Sequence, residues 1–230
     1  LIVAIISNGT TIADAGAFSV DLGALTLIKT ITISSSTSTV AFSHGSSSVV
    51  FDSTYPNYLF TYASVHGSAE QEIVIDFSDS AGSDYDLLHQ STFFRAAHNE
   101  NGSDGNLTYV TSRDMGNSGS RPFLTVPVGT GADESGSGHL YVFNPSNTAF
   151  VTHFISEANI AVGDGTAAGS YSQHSLVGGY VNTTAAITGI KFEMDGGTID
   201  SGIFKMYGIK DSEYGTYIKR NNIVRRWRYR

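Results

Sequence analysis

The chain of 230 residues contains no cysteine. No disulfide can brace it and no thiolate can hold a metal, so its stability must come from packing or from assembly. Proline occurs only four times, tryptophan once, and charged residues make up 15% of the chain. The longest apolar opening, Leu1 to Ile6, is six residues long. A membrane helix needs about 20, so no membrane insertion is expected. No basic leader with an apolar stretch behind it reads as a signal peptide. The first residue is Leu1 rather than Met, so processing or a start further upstream is expected. A G-x-S-x-G elbow, a Walker loop and a dinucleotide fingerprint are all missing. No enzyme activity, no catalytic residue and no cofactor are therefore expected.

What the chain does have is glycine, serine, threonine and aromatics. Its 25 glycines and 11% aromatic content exclude a disordered polymer and suit short strands joined by polar turns. Turn clusters such as "SDSAGSD", "NENGSDGN", "GTGADESGSG" and "MDGGTIDSG" recur along the sequence, separated by segments that alternate in polarity. In "IKFEM", Ile190, Phe192 and Met194 face one way and Lys191 and Glu193 the other. Phe204 and Met206 alternate with Lys205 and Tyr207, and Ile73, Ile75 and Phe77 with Val74 and Asp76. "HLYVF" and "AFVTHFI" are apolar on both faces, as expected for central strands. "DLLHQSTFFRAAHNE" has mixed periodicity, and Thr92-Phe93-Phe94 favours a strand there. The pattern predicts an all-β fold, an antiparallel β-sandwich of jelly-roll type. Residues 1–29 read as an N-terminal arm, 30–210 as the sandwich body and 211–230 as a basic extension. No internal repeat and no heptad pattern is present.

Charge is unevenly placed. The 13 basic and 21 acidic residues give a net charge of −8. Residues 219–230, "KRNNIVRRWRYR", hold six of the basic residues and no acid. The remaining chain therefore has 7 basic and 21 acidic residues, or −14. Such a body repels nucleic acid. Arg225, Arg226, Trp227, Arg228 and Tyr229 have the arginine-plus-aromatic composition of an interface core. They are expected to strap onto an acidic neighbouring subunit. Arginine interleaved with aromatics also suits a nucleic-acid strip, the less favoured reading beside a body at −14.

The seven histidines, His44, His66, His89, His98, His139, His153 and His174, show no H-x-x-x-H spacing. His139 and His153 fall on neighbouring strands across "NPSN", and a core or surface pair is the favoured reading over a metal site. "NENGSDGN" and the Asp76, Asp79, Asp84, Asp86 run resemble calcium loops in composition. They lack the ordered ligand positions and the closing glutamate, so solvated turns are expected and no metal. Tyr55, Tyr58 and Tyr62 cluster in "STYPNYLFTY", where loop tyrosines suit a subunit interface or, as a second reading, glycan contact. The Asn-x-Ser/Thr triplets at Asn8, Asn101, Asn106 and Asn182 are expected by chance in a chain of this composition.

The segment "GGTIDSGIFKMYGIK", Gly196 to Lys210, resembles a strand–turn–strand ending of β-rich structural proteins from marine tailed bacteriophages. "SVVFDSTYPNYLFTYASVH", "STFFRAAHNE", "LYVFNPSNTAFVTHFIS" and "GGYVNTTAAITGIKFEM" are similar to the same group in the same order, as is the opening of the chain. The resemblance runs to Lys210. It implies a virion-surface sandwich that assembles as a homo-oligomer, expected to be a trimer, in a tail fibre or receptor-binding adhesin. A capsid decoration protein is the alternative. A carbohydrate-binding module or a fibre-borne glycan-cleaving enzyme is the further one. Implied partners are other copies of the chain, other virion proteins and a host glycan. The extension beyond Lys210 departs from the usual pattern of this group.

Overall fold

The computed structural model describes residues 25–163, 166 and 169–210, together with the backbone of 5–7, 10–14 and 17–18. The basic extension, including Arg225, Arg226, Trp227, Arg228 and Tyr229, lies outside the described residues. Three short strands, β1 (Ile5–Ser7), β2 (Thr10–Asp14) and β3 (Ala17–Phe18), pair antiparallel in a small sheet of their own. The sandwich follows. Its first strands are β4 (Leu25–Ile33), β5 (Val40–Ser43), β6 (Asn57–Gly67) and β7 (Ile73–Ser78). Next come β8 (His89–Asn99), β9 (Gly105–Tyr109), a 3-10 turn at Thr111–Arg113 and β10 (Met115–Ser118). The last five are β11 (Gly136–Phe143), β12 (Thr152–Val162), β13 (Tyr171–Val181), β14 (Gly189–Met194) and β15 (Ile199–Ile209).

One sheet has nine strands in the order β10-β8-β13-β12-β11-β6-β15-β4, with β9 beside β8; the other has three, β5-β14-β7. Every pairing is antiparallel. The fold is thus the all-β antiparallel sandwich that the alternation predicts. A division into nine and three strands does not establish the jelly-roll type, which distributes eight strands over two Greek keys. Strand β4 crosses the boundary expected at Lys29 and pairs with β15 from Leu25 onward, so the sandwich includes residues 25–29.

The core lies between the two sheets. Phe42 of β5 and Phe192 of β14 meet Phe60 and Tyr62 of β6 and Phe204 of β15, with ring centroids 5.3 to 6.4 Å apart. All five rings are buried. Burial of β14 and β15 alternates as the sequence pattern requires. In β7 both faces are covered, including Val74 and Asp76. Its free edge is closed by the segment after Pro122: the Ile75 N–H donates to the Pro122 carbonyl and the Leu124 N–H to the Ile73 carbonyl.

The turn from β14 to β15 depends on Gly197, at φ +78°. A Cβ there would lie 2.6 Å from Ser68 Oγ, whose oxygen accepts the Thr198 N–H at 3.0 Å. Gly197→Ala combines a left-handed backbone with that clash, and is expected to cost about 1 to 2 kcal/mol. A urea midpoint unchanged from wild type would contradict this.

Candidate docking face

The nine-stranded sheet shields the core with one face and turns the other outward. In β12 the burial alternates strictly, with Thr152, Phe154, Ser156, Ala158 and Ile160 inward and His153, Ile155, Glu157 and Asn159 exposed. The expectation that "HLYVF" and "AFVTHFI" are covered on both faces is therefore corrected. Residues 139–143 lie in β11 and 152–155 in β12, both central strands, but Phe143 is 37% exposed and Ile155 45%; Phe150, 73% exposed, sits in the bend before β12. The second apolar set belongs to an open face, since no layer among the described residues lies over it.

Register aligns these outward side chains into rows. One row runs Leu27, Tyr207, Leu59, Tyr141, Ile155 from β4 through β15, β6 and β11 to β12. The next row contains Leu25, Ile209, Asn57, Phe143, His153 and Tyr180. Tyr141 and Phe143 stack at 6.2 Å, and His153 lies 6.0 Å from Tyr180. On the other side of the first row come Lys205, Thr61, His139, Glu157, Leu176 and Phe94. Cross-strand neighbours in a row sit about 5 Å apart, close enough to form one surface. A contiguous apolar patch of this kind marks an interaction site more often than a solvated face.

The face is nearly free of acid. Across these rows the ionic side chains are Lys205 and Glu157. Glu157 lies between two histidines, with Oε1 3.0 Å from His174 Nε2 and Oε2 4.0 Å from His139 Nε2. Lys205 has no ion-pair partner among the described residues. His139 and His153 do share adjacent strands, two rows apart on the same outward face. Among the described residues no group of three or more His, Asp and Glu is arranged to hold a metal.

Other expected site residues fall elsewhere. Tyr58 and Tyr62 are 0% and 1% exposed, and Tyr55 is 8%. The glycan-contact reading of these three is corrected: Tyr58 and Tyr62 alternate with Phe60 on the inward face of β6. The ring of Tyr55 lies flat on Gly208, where a Cβ would fall inside it, and the ammonium of Lys210 sits 6.0 Å above it. None of the three offers a ring face to a sugar. The "NENGSDGN" loop closes on itself, the Asp104 N–H donating to Asn99 Oδ1 and the Ser103 N–H to Asn101 Oδ1, both at 2.9 Å. In the other acidic turn, Ser80 Oγ donates to Asp84 Oδ1 at 2.5 Å.

A second polar constellation was not anticipated. An open cleft of ≈ 590 Å³ is bordered by Asp76, Arg121, Phe123 and Asp195. Arg121 bridges Glu193 (2.9 Å) and Asp195 (2.7 Å), and Lys191 lies between Glu193 (3.3 Å) and Asp76 (3.9 Å). The Thr39 hydroxyl donates to Glu193 at 2.7 Å. Hydrogen bonds and the two cations hold the Glu193 carboxyl below its usual range, despite burial. Beneath the cleft, Asp76 Oδ1 lies 3.6 Å from Nε2 of the fully buried His89. Neither ring nitrogen of His89 makes a hydrogen bond of good geometry, although the backbone of Ser118 and Ser120 lies beside the ring. Burial pushes Asp76 up to about 6 and His89 down to about 4. Each charged group at the cleft already has a partner, so the cleft knits β7, β14 and the 119–123 segment together. The one signal for it in the sequence is an aspartate inside the apolar run "EIVIDF".

Comparison of the chain with protein-family models, with curated proteins and with solved structures finds no match in any of the three.

Proposed function

We propose that this protein is a non-enzymatic structural component of a tailed-phage particle, placed at the virion surface in a tail-fibre or receptor-binding position. It works by docking onto other copies of itself and onto neighbouring virion proteins. The observation that supports this reading best is the outward face of the nine-stranded sheet, where apolar and aromatic side chains form continuous rows across β4, β15, β6, β11 and β12. A sandwich suits this task because its core and its docking surface use opposite faces of the same strands. The face can then change without loss of the fold. The sequence segments that resemble phage structural proteins point the same way.

Quantitative peptide mass spectrometry of purified particles tests the reading. A few dozen copies or fewer per particle are expected for a fibre. Hundreds would assign the protein to the capsid shell as a decoration instead, and the absence of its peptides would overturn the virion reading.

A further inference from the structure

We propose that a second copy of this chain sits on the outward face of β15, β6, β11 and β12, related by a two-fold axis that runs parallel to the strands between β6 and β11. The proposal rests on the docking reading of this face and names its occupant.

A two-fold axis in that direction exchanges β15 with β12 and β6 with β11, while the position along the strands is kept. Residues of one row therefore meet residues of the same row. In the row through Lys205, Thr61, His139 and Glu157, Lys205 comes to face Glu157 of the partner subunit, and Glu157 faces the partner's Lys205. These are the only Lys, Arg, Asp or Glu in the rows described above, one of each sign, placed symmetrically about the axis. In the next row Tyr207 meets Ile155 of the partner subunit, and Leu59 meets the partner's Tyr141. The face is thus complementary to itself in charge and in apolar character, as an isologous contact requires. Aligned sheets pack about 10 Å apart, and an axis parallel to the strands keeps those of the two copies parallel, so residues of one row stay opposite one another.

Two further features favour a copy over other occupants. A body at −14 over residues 1–218 repels its own kind wherever carboxylates are exposed, and among the described residues these three rows hold only Glu157. Like-charged copies can approach here at least cost. Size also fits. The six strands from β4 to β13, spaced about 4.8 Å and at least roughly 26 Å long, present about 650 Å². A standard interface takes about 800 Å² from each partner, so these strands with their rim are enough.

Sedimentation equilibrium of the full chain tests this. Wild type is expected at twice the chain mass of 24.5 kDa. Lys205→Glu and Glu157→Lys should each weaken the dimer about tenfold or more, and the double exchange should restore it. Both positions are at the surface, and far-UV circular dichroism with a thermal melt verifies that each variant is folded. A wild-type monomer or trimer, folded single variants of unchanged mass, or a double exchange that fails to restore the dimer would each overturn the contact. Loss of the dimer leaves the particle assay above unaffected, so the two readings fail separately.

Discussion

Phe192→Ala is expected to remove about 4 kcal/mol of folding stability, a large part of the roughly 5 to 15 kcal/mol that keeps a domain folded. Phe192 is fully buried at the centre of β14. Its ring touches Phe42 at 6.3 Å, Phe60 at 5.9 Å, Tyr62 at 6.0 Å and Phe204 at 5.4 Å. Four of its neighbours are rigid rings held by strand pairing, so they cannot collapse into the space a truncation leaves. The large-to-small cost then lies in the upper part of its range. With no disulfide to limit the unfolded chain, nothing offsets the loss. Equilibrium urea unfolding gives the value directly. A change below about 1 kcal/mol would mean that the two sheets are not joined through this residue.

The second large effect is a response to pH. Burial raises Asp76 to about 6 and lowers His89 to about 4. As pH falls from about 6 to 4, folded Asp76 takes up a proton that its unfolded form declines, so it adds stability in that window. His89 does the reverse: from about 6.5 down to 4 the unfolded histidine is protonated and the folded one is not, so stability is lost. Each contribution reaches about 3 kcal/mol. They oppose, and the pair leaves wild-type stability nearly flat between pH 6 and 4. Asp76→Asn keeps an acceptor for the Phe77 N–H, which Asp76 Oδ1 now accepts at 2.9 Å. Between pH 7 and 4 this variant should lose about 3 kcal/mol relative to wild type. His89→Gln should gain a similar amount over the same range. The groups facing the pair are Lys191 and Glu193 on β14, Arg121 in the 119–123 segment and Tyr85 ahead of β8, and both variants retain all four. Urea unfolding at four or five pH values decides it. Parallel stability curves for wild type and Asp76→Asn would show that Asp76 titrates as an ordinary surface carboxyl.

The strands of the sandwich were legible because their alternation is carried by single residues. Phe192 between Lys191 and Glu193, and Phe204 and Met206 around Lys205, could be assigned to an inward face before any pairing was known. Thr92-Phe93-Phe94 likewise identified β8. The tyrosines show where this reading fails. Tyr58, Phe60 and Tyr62 have the spacing of an inward strand face, but Pro56 and the phenolic hydroxyls suggested a loop. The hydroxyls are accommodated at the core margin: Tyr58 accepts the Asp52 N–H at 3.2 Å, and Tyr62 lies 3.4 Å from Ser156 Oγ. A tyrosine with a partner for its oxygen buries as readily as phenylalanine.

The docking face was not legible for a different reason. Its rows join β15, β6 and β11, which are far apart in sequence, and the order of strands in a sheet is not written in local periodicity. "HLYVF" and "AFVTHFI" did show apolar residues on two faces. Sequence alone could not tell a second protein layer from a face awaiting a partner. The symmetric placement of Lys205 and Glu157 depends on register, which only pairing defines.

The proposed contact between two copies through this face is open to direct measurement by cross-linking. The chain has no cysteine of its own, so introduced thiols report without background. Chains bearing Tyr207→Cys are mixed with chains bearing Ile155→Cys and treated with a short bis-maleimide. The two-fold relation places these positions opposite one another, and the mixture should give linked dimers more efficiently than either variant alone. A mixture that links no better than the separate variants would contradict the claim.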